Sequence, residues 1–281
     1  MPTRDQHPLD RGFHEYYGAL GNTYFMDTEG KGGIEVMRGK ERILEKEYLT
    51  DAHGREAVEF IDRNKDKPFF LACGLFRPHL PWYVPREYFD LYPIGDIVLP
   101  RVNQEDLDDV PAEGVKLAKA RRNDFETIKK AGKWKHAVRA YLASISYADE
   151  QLGRILDALD TSPHARNTMI VLWSDHGWHL GDLSIWTKHT NFEQANRIPI
   201  LIVAPGVVKP GSVTRQLTET VDLYPTLAEL TGLPKPKGPQ SIDGMSLVPV
   251  LKNPKARVRD HAFHAYPRRK LGRAIRTEQY R

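Results

Sequence analysis

Residues Thr168 to Trp173 are β-branched or bulky and apolar, and they run directly into Ser174-Asp-His-Gly-Trp-His-Leu-Gly181. No other junction constrains the fold as much. A segment this short and this apolar reads as a strand buried on both faces rather than as a helix. Such strands belong to open α/β sheets, whose ligands sit outside the carboxyl ends of the strands. Asp175 and His176 fall at that end, and Gly177 and Gly181 let the backbone bend so that neighbouring side chains converge. An Asp oxygen beside a His nitrogen can hold a divalent cation, and Lys188 can supply charge for an anionic group. Taken alone, the pair fits a plainer arrangement better, with Asp175 capping a turn and the two histidines packed beside Trp178.

The surrounding text supports the sheet. Leu49 to Arg63 has helical spacing of apolar residues, with Thr50 or Asp51 as its cap. Lys67-Pro68 breaks it. Phe69 to Leu75 then reads as a buried strand with Cys73 as a small core residue, and Arg77-Pro-His-Leu-Pro81 as a rigid loop. The stretch from Pro93 to Gly114 is acidic and proline-punctuated, as in a surface excursion. Val138 to Leu159 carries an apolar stripe of Leu142, Ile145, Ala148, Leu152, Ile155, Leu156 and Leu159. Pro199 to Ala204 is another strand, and Asp222 caps a helix from Leu223 to Thr231 that Gly232 stops. Strand-like text returns at His261 to Tyr266 and Arg273 to Thr277. The strands at 69–75, 168–173 and 199–204 are expected in one mixed sheet flanked by helices, with His79, Asp175, His176 and Lys188 around one cleft.

Composition sets limits. With 40% apolar and 28% charged residues among 281, the chain can build a core and does not resemble a disordered one. Its net charge of +4 raises the question of nucleic acid. Arg121, Arg122, Lys129, Lys130, Lys133 and Lys135 do cluster, but Asp124 and Glu126 interrupt them and no nucleic-acid module accompanies them, so a solvated helix face is expected and nucleic acid is not. No apolar run reaches the roughly 18 residues of a membrane helix. The first ten residues contain no secretory signal, and the single cysteine, Cys73, excludes an internal disulfide framework.

Six segments taken in order resemble the sulfatases of the alkaline-phosphatase superfamily, and most of all the iduronate-2-sulfatase and choline-sulfatase branch. They are His7-Pro-Leu-Asp-Arg-Gly-Phe-His-Glu-Tyr-Tyr-Gly18, Lys67 to Trp82, the Asp175-His-Gly-Trp-His-Leu-Gly181 run with Lys188, Arg197 to Gly206 with Glu219 to Leu227, and Asp243-Gly-Met-Ser-Leu247. The resemblance implies an alkaline-phosphatase-like α/β fold, a mixed sheet sandwiched between helices and truncated at both ends. Residues 1–255 would be the central and later part of the catalytic domain, and 256–281 the start of a smaller C-terminal subdomain.

It further implies a sulfuric ester hydrolase whose formylglycine nucleophile lies outside this chain. The Cys-x-Pro-x-Arg motif is absent, since Leu75 stands where a proline would follow Cys73. Asp175 and His176 would be half of a metal site, usually Ca²⁺. A histidine is an unusual ligand for that hard ion, and one Asp with one His leaves Mn²⁺, Mg²⁺ and Zn²⁺ open as well. Lys188 matches the lysine that touches the sulfate, and His79 a substrate-side histidine that donates a hydrogen bond or proton. Arg77 and Trp82 would shape a sugar pocket, and Asp149 would be a structural hydrogen-bond partner. The implied partner is a sulfate-ester substrate such as a sulfated glycan, and the implied compartment is periplasmic or extracellular. Two other readings share these residues: a phosphodiesterase or phosphonate hydrolase of the same superfamily, and a non-catalytic module that binds sulfated glycans.

Overall fold

The computed structural model describes residues 7–18, 34–103, 105–118, 123–234, 238–266 and 272–280. Arg121 and Arg122 of the basic cluster lie outside them. In chain order the elements are β1 (Tyr17–Gly18), β2 (Ile34–Arg38), β3 (Glu41–Glu45), α1 (Leu49–Arg63), α2 (Arg86–Asp90), α3 (Ala112–Ala118), α4 (Phe125–Lys130) and α5 (Trp134–Asp160). They continue with β4 (Ile170–Trp173), α6 (Glu193–Asn196), β5 (Ile200–Val203), α7 (Leu223–Leu230), α8 (Val248–Lys252), β6 (Ala262–Tyr266) and β7 (Gly272–Arg276). The chain forms two compact units, one of residues 1–99 and 131–166, the other of residues 100–130 and 167–281.

In the first unit, β2 and β3 form a hairpin turned at Gly39, whose φ of +62° favours glycine, and β1 pairs along the free edge of β2. Alternation along β2 buries Ile34 and Val36, which pack with Leu49 of α1. Helix α1 begins at Leu49 as expected, but Tyr48 is its cap, and Thr50 and Asp51 fall inside the first turn. It lies close to α5 because Gly54 leaves no side chain in the way: a Cβ there would come within 2.7 Å of the Gln151 amide oxygen.

The buried face of α5 is not the expected apolar stripe. Ala143, Ser144, Tyr147 and Gln151 are buried, while of the stripe only Leu159 is, and Ile145 is 40% exposed. Small and polar residues let neighbouring helices approach closely, which hydropathy does not register. Asp149, expected to be a hydrogen-bond partner, is exposed. It stands two residues beyond Tyr147, about 200° round the helix from the buried face.

Residues 69–75 also depart from expectation. They run without forming a strand, and Cys73 and Phe70 are exposed rather than in the core. A strand requires a ladder partner, and none pairs with this segment among the described residues. Phe69 is the anchored exception, packed edge-on against Phe60 and His164.

The second unit contains the expected strands β4 and β5, paired antiparallel with Trp173 opposite Ile200. They are not buried on both faces: Trp173, Leu201 and Val203 are each about half exposed. The register has a local consequence, because the residues after Trp173 come to lie beside those before Ile200.

Farther along, Asp222 does not cap α7 with its side chain. Its carboxylate accepts from the backbone N–H groups of Glu219 and Met245 and pairs with Arg259, which also pairs with Glu219. Thr226 donates to the Asp222 carbonyl and accepts from the Leu247 N–H. Gly244 closes this knot, since a Cβ there would overlap the Val221 carbonyl. The strands at 261–266 and 273–277 appear as the antiparallel pair β6–β7.

Candidate active site

The residues singled out in sequence fall in both units. In the first, His79 sits in a loop, residues 77–83, that is tied to its own backbone. Arg77 is buried, and its guanidinium donates to the Tyr83 carbonyl at 3.0 and 3.3 Å and to the His79 carbonyl at 3.3 Å. Burial lowers the pKa of Arg77 to about 10, so the group stays charged at neutral pH. Trp82 donates its indole N–H to the Pro78 carbonyl at 2.9 Å, and its ring meets Tyr141 edge-on. The peptide bonds before Pro78 and Pro81 are cis. His79 itself is partly buried, with its ring against Phe76. Its Nδ1 lies 2.6 Å from the Leu80 carbonyl, which can only accept, so Nδ1 carries the proton and Nε2 is the basic nitrogen of the neutral ring.

Cys73 lies upstream of this loop. Arg77 stands four residues beyond it, the spacing of the arginine in a formylglycine motif, but Leu75 keeps the motif incomplete.

In the second unit, Asp175, His176 and Lys188 do come together. After Trp173 the chain turns, with Ser174 Oγ donating to the His176 carbonyl at 2.6 Å. Gly177 makes the turn possible: its N–H donates to the Ala195 carbonyl at 2.8 Å, and any side chain there would overlap the Gln194 carbonyl. His176 Nδ1 donates to the Gly177 carbonyl at 2.8 Å, which leaves Nε2 as acceptor, and Lys188 Nζ reaches it at 2.6 Å. Asp175 Oδ2 is 3.4 Å from the same nitrogen, and its carboxylate is largely exposed. Burial lowers the pKa of Lys188, while the charge of Asp175 acts in the opposite direction.

The segment between His176 and Lys188 is a folded-back loop. The Thr187 carbonyl accepts from the His179 N–H, and the Ile185 carbonyl from the Gly181 N–H, each at 2.9 Å. Gly181 has φ +110°, and Leu183 and Ser184 take left-handed conformations that non-glycine residues rarely adopt. Asn123 braces this tip by accepting from the Trp186 N–H and donating to the Ser184 carbonyl, both at 2.8 Å. His176, Lys188, His189, Thr190 and Asn196 line a cavity of about 210 Å³.

Sequence reasoning passed over Asn123, Asp182 and Thr190. Asn123 is 63 residues from its partner, beyond any local pattern. The spacing of His179 and Asp182, three residues apart, was the one signal available.

For a cation, Asp175 Oδ2 and His176 Nε2 face each other closely enough to share one ion, a fit for two donors. The lone pair of Nε2 is already directed at Lys188, so the exposed hard oxygen of Asp175 is the more available ligand. Among the described residues no group of three or more His, Cys, Asp or Glu side chains is arranged to hold a metal ion.

The fold and the sequence together define a class. Residues 2–233 match the sulfatase family, and the chain belongs to it. It is 43% identical over 182 residues to a sulfatase of Formosa agariphila, covering 63% of this chain and 35% of that protein. It is 32% identical over 239 residues to human iduronate 2-sulfatase, covering 72% of this chain and 42% of that enzyme. Among solved structures, BT4656 in complex with its substrate D-glucosamine-2-N,6-O-disulfate superposes with a TM-score of 0.73 at 22% identity, over 95% of this chain and 66% of that one. The fold is alkaline-phosphatase-like. The chain spans less than half the length of these two curated relatives.

Proposed function

We propose that this chain carries the cation-binding and sulfate-binding part of a metal-assisted sulfuric ester hydrolase, with the nucleophile supplied by polypeptide outside these 281 residues. The observation that supports it is the convergence of Lys188 Nζ, His176 Nε2 and Asp175 Oδ2 after β4 in a member of the sulfatase family. Asp175 would hold a divalent cation through a carboxylate oxygen, and His176 would join it only by releasing Lys188. Ca²⁺, Mg²⁺ or Mn²⁺ best suits the carboxylate, while Zn²⁺ would favour the imidazole as well. When bound, such an ion supplies positive charge beside a sulfate oxygen. Lys188 contributes an ammonium that a sulfate oxygen would meet, stabilising charge as it builds in the transition state.

In the 77–83 loop, His79 is the group for a hydrogen bond or proton to the ester, through Nε2. Arg77 braces the loop and Trp82 shapes its wall. The substrate is a sulfate ester of a sugar or small alcohol, with the likeness to iduronate 2-sulfatase favouring a sulfated sugar, and the compartment is periplasmic or extracellular by family. Among the described residues no helix is long and apolar enough to cross a membrane.

Elemental analysis and sulfate binding test this together. Asp175→Ala should lose divalent cation, while Lys188→Ala should keep it and bind sulfate more weakly. Unchanged metal in the first variant, or unchanged sulfate binding in the second, removes that assignment. The chain alone should not turn over a generic aryl sulfate, and turnover that persists in Cys73→Ala would place the nucleophile within it.

A further inference from the structure

His179 is fully buried, and both of its ring nitrogens are engaged. Nδ1 lies 2.6 Å from Asp182 Oδ2, and Nε2 lies 2.8 Å from Thr190 Oγ1. Asp182 also accepts the Leu180 N–H at 3.0 Å, and its pKa is lowered: burial would raise it, but the hydrogen bonds it accepts, that from the His179 ring first, outweigh that. The carboxylate can only accept, so Nδ1 carries the proton; in the uncharged ring Nε2 is then the acceptor, and Thr190 donates its hydroxyl proton to it. Thr190 Oγ1 in turn accepts the Phe192 N–H at 3.3 Å.

The order resembles a hydroxyl, imidazole and carboxylate relay, but it is not placed to attack anything. His179 has no exposed surface, Thr190 is 5% exposed, and the hydroxyl proton is already committed. What the network does reach is the chain on either side of Lys188. The N–H of His179 holds the Thr187 carbonyl, its ring holds Thr190, and the Thr190 N–H closes back onto the Lys188 carbonyl at 2.9 Å.

We propose that His179, Asp182 and Thr190 form a positioning triad that holds Lys188 against His176, and that its purpose, which rests on the sulfate-binding role given to Lys188 above, is to present the ammonium to a sulfate group in one geometry. A lysine side chain left to itself samples many rotamers, and the affinity it contributes is reduced by the cost of ordering it. Anchoring the backbone at 187 and 190 removes part of that cost before the anion arrives.

The test uses the full chain, side-chain NMR of Lys188 and His176, and titration with inorganic sulfate. In the unsubstituted protein the two side chains should give a direct nuclear Overhauser contact. Thr190→Val, which keeps the shape and loses the hydroxyl, should abolish that contact and weaken sulfate binding about 10-fold, the scale on which partners behind a binding group act. Thr190→Ser should restore both, and the Trp82 indole signal should stay unmoved throughout. If Thr190→Val does not fold, Asp182→Asn is measured in its place with the same expectation. A folded variant that retains the Lys188–His176 contact and its sulfate affinity overturns the triad, as does absence of the contact in the unsubstituted protein. Lys188→Ala separates the two proposals. If it leaves sulfate binding unchanged while the contact is lost in Thr190→Val and restored in Thr190→Ser, the sulfate role fails and the positioning stands.

Discussion

Residues 77–83 hold their shape through a buried guanidinium that answers backbone carbonyls, whereas residues 175–190 hold theirs through a buried imidazole and a glycine that lets two backbones touch. In the first loop the charged side chain serves the backbone, and the neighbouring His79 ring packs against Phe76 with Nδ1 on the Leu80 carbonyl. In the second the backbone serves the charged side chain, since the braces stand on both sides of Lys188. Charge at a loop is therefore a poor guide to what a side chain does there. What decides is where the donors already point.

The sharpest way to break this contrast is at the glycines. Gly177→Ala forces a Cβ into the Gln194 carbonyl and should cost about 3 kcal/mol, lowering the melting temperature by roughly 6–12 °C. Gly74→Ala, just ahead of the first loop, meets nothing within 4 Å and should stay within about 1 kcal/mol of the unsubstituted protein. Equal losses at the two positions, read by calorimetry, would contradict the packing described for Gly177.

Next in size is Arg77→Met. It leaves the Tyr83 and His79 carbonyls without their donor and should cost about 2 kcal/mol, with the Lys188–His176 contact unaffected. If stability is unchanged, the guanidinium is not what holds the first loop. Trp82→Phe removes one hydrogen bond to the Pro78 carbonyl while keeping a ring beside Tyr141, and denaturant unfolding should show a loss of about 1 kcal/mol.

The smallest effect at neutral pH is the one that acid reveals. The carboxyl of Asp182 is held below its usual value in the fold, so the stability it contributes is present above the ordinary carboxylate range and is lost as pH falls through the lowered value. Arg77 keeps its charge throughout that range. Acidification should therefore shift the Trp186 indole signal before that of Trp82, and Asp182→Asn should remove the difference. Simultaneous movement of both signals in the unsubstituted chain would mean that acid acts elsewhere.

Several of these features were legible in residues alone. Helix α1 was found to the residue, because its spacing and the following Lys67-Pro68 are local signals. Strands β4 and β5 were found within two residues, and of the expected group of His79, Asp175, His176 and Lys188 the last three come together within one unit, a grouping that rested on the family pattern rather than on spacing. The strand expected at 69–75 was not there, and the stripe expected to be buried on α5 was half exposed. Hydropathy records what a segment would gain from burial, and not whether a partner stands opposite it.

By itself the sequence determined the family, helices α1, α5 and α7, the strands β4 to β7, and the residues able to carry charge. Only the tertiary structure decided the employment of each polar group. Arg77 turns inward to its own loop, Asp222 binds Arg259 and the Glu219 N–H rather than the first turn of α7, and His179 lies sealed between Asp182 and Thr190. The reason is one of range. Helical periodicity and turn chemistry act over a few residues, whereas a buried polar group must find its partner wherever the fold brings one, even 63 residues away as for Asn123 and Trp186.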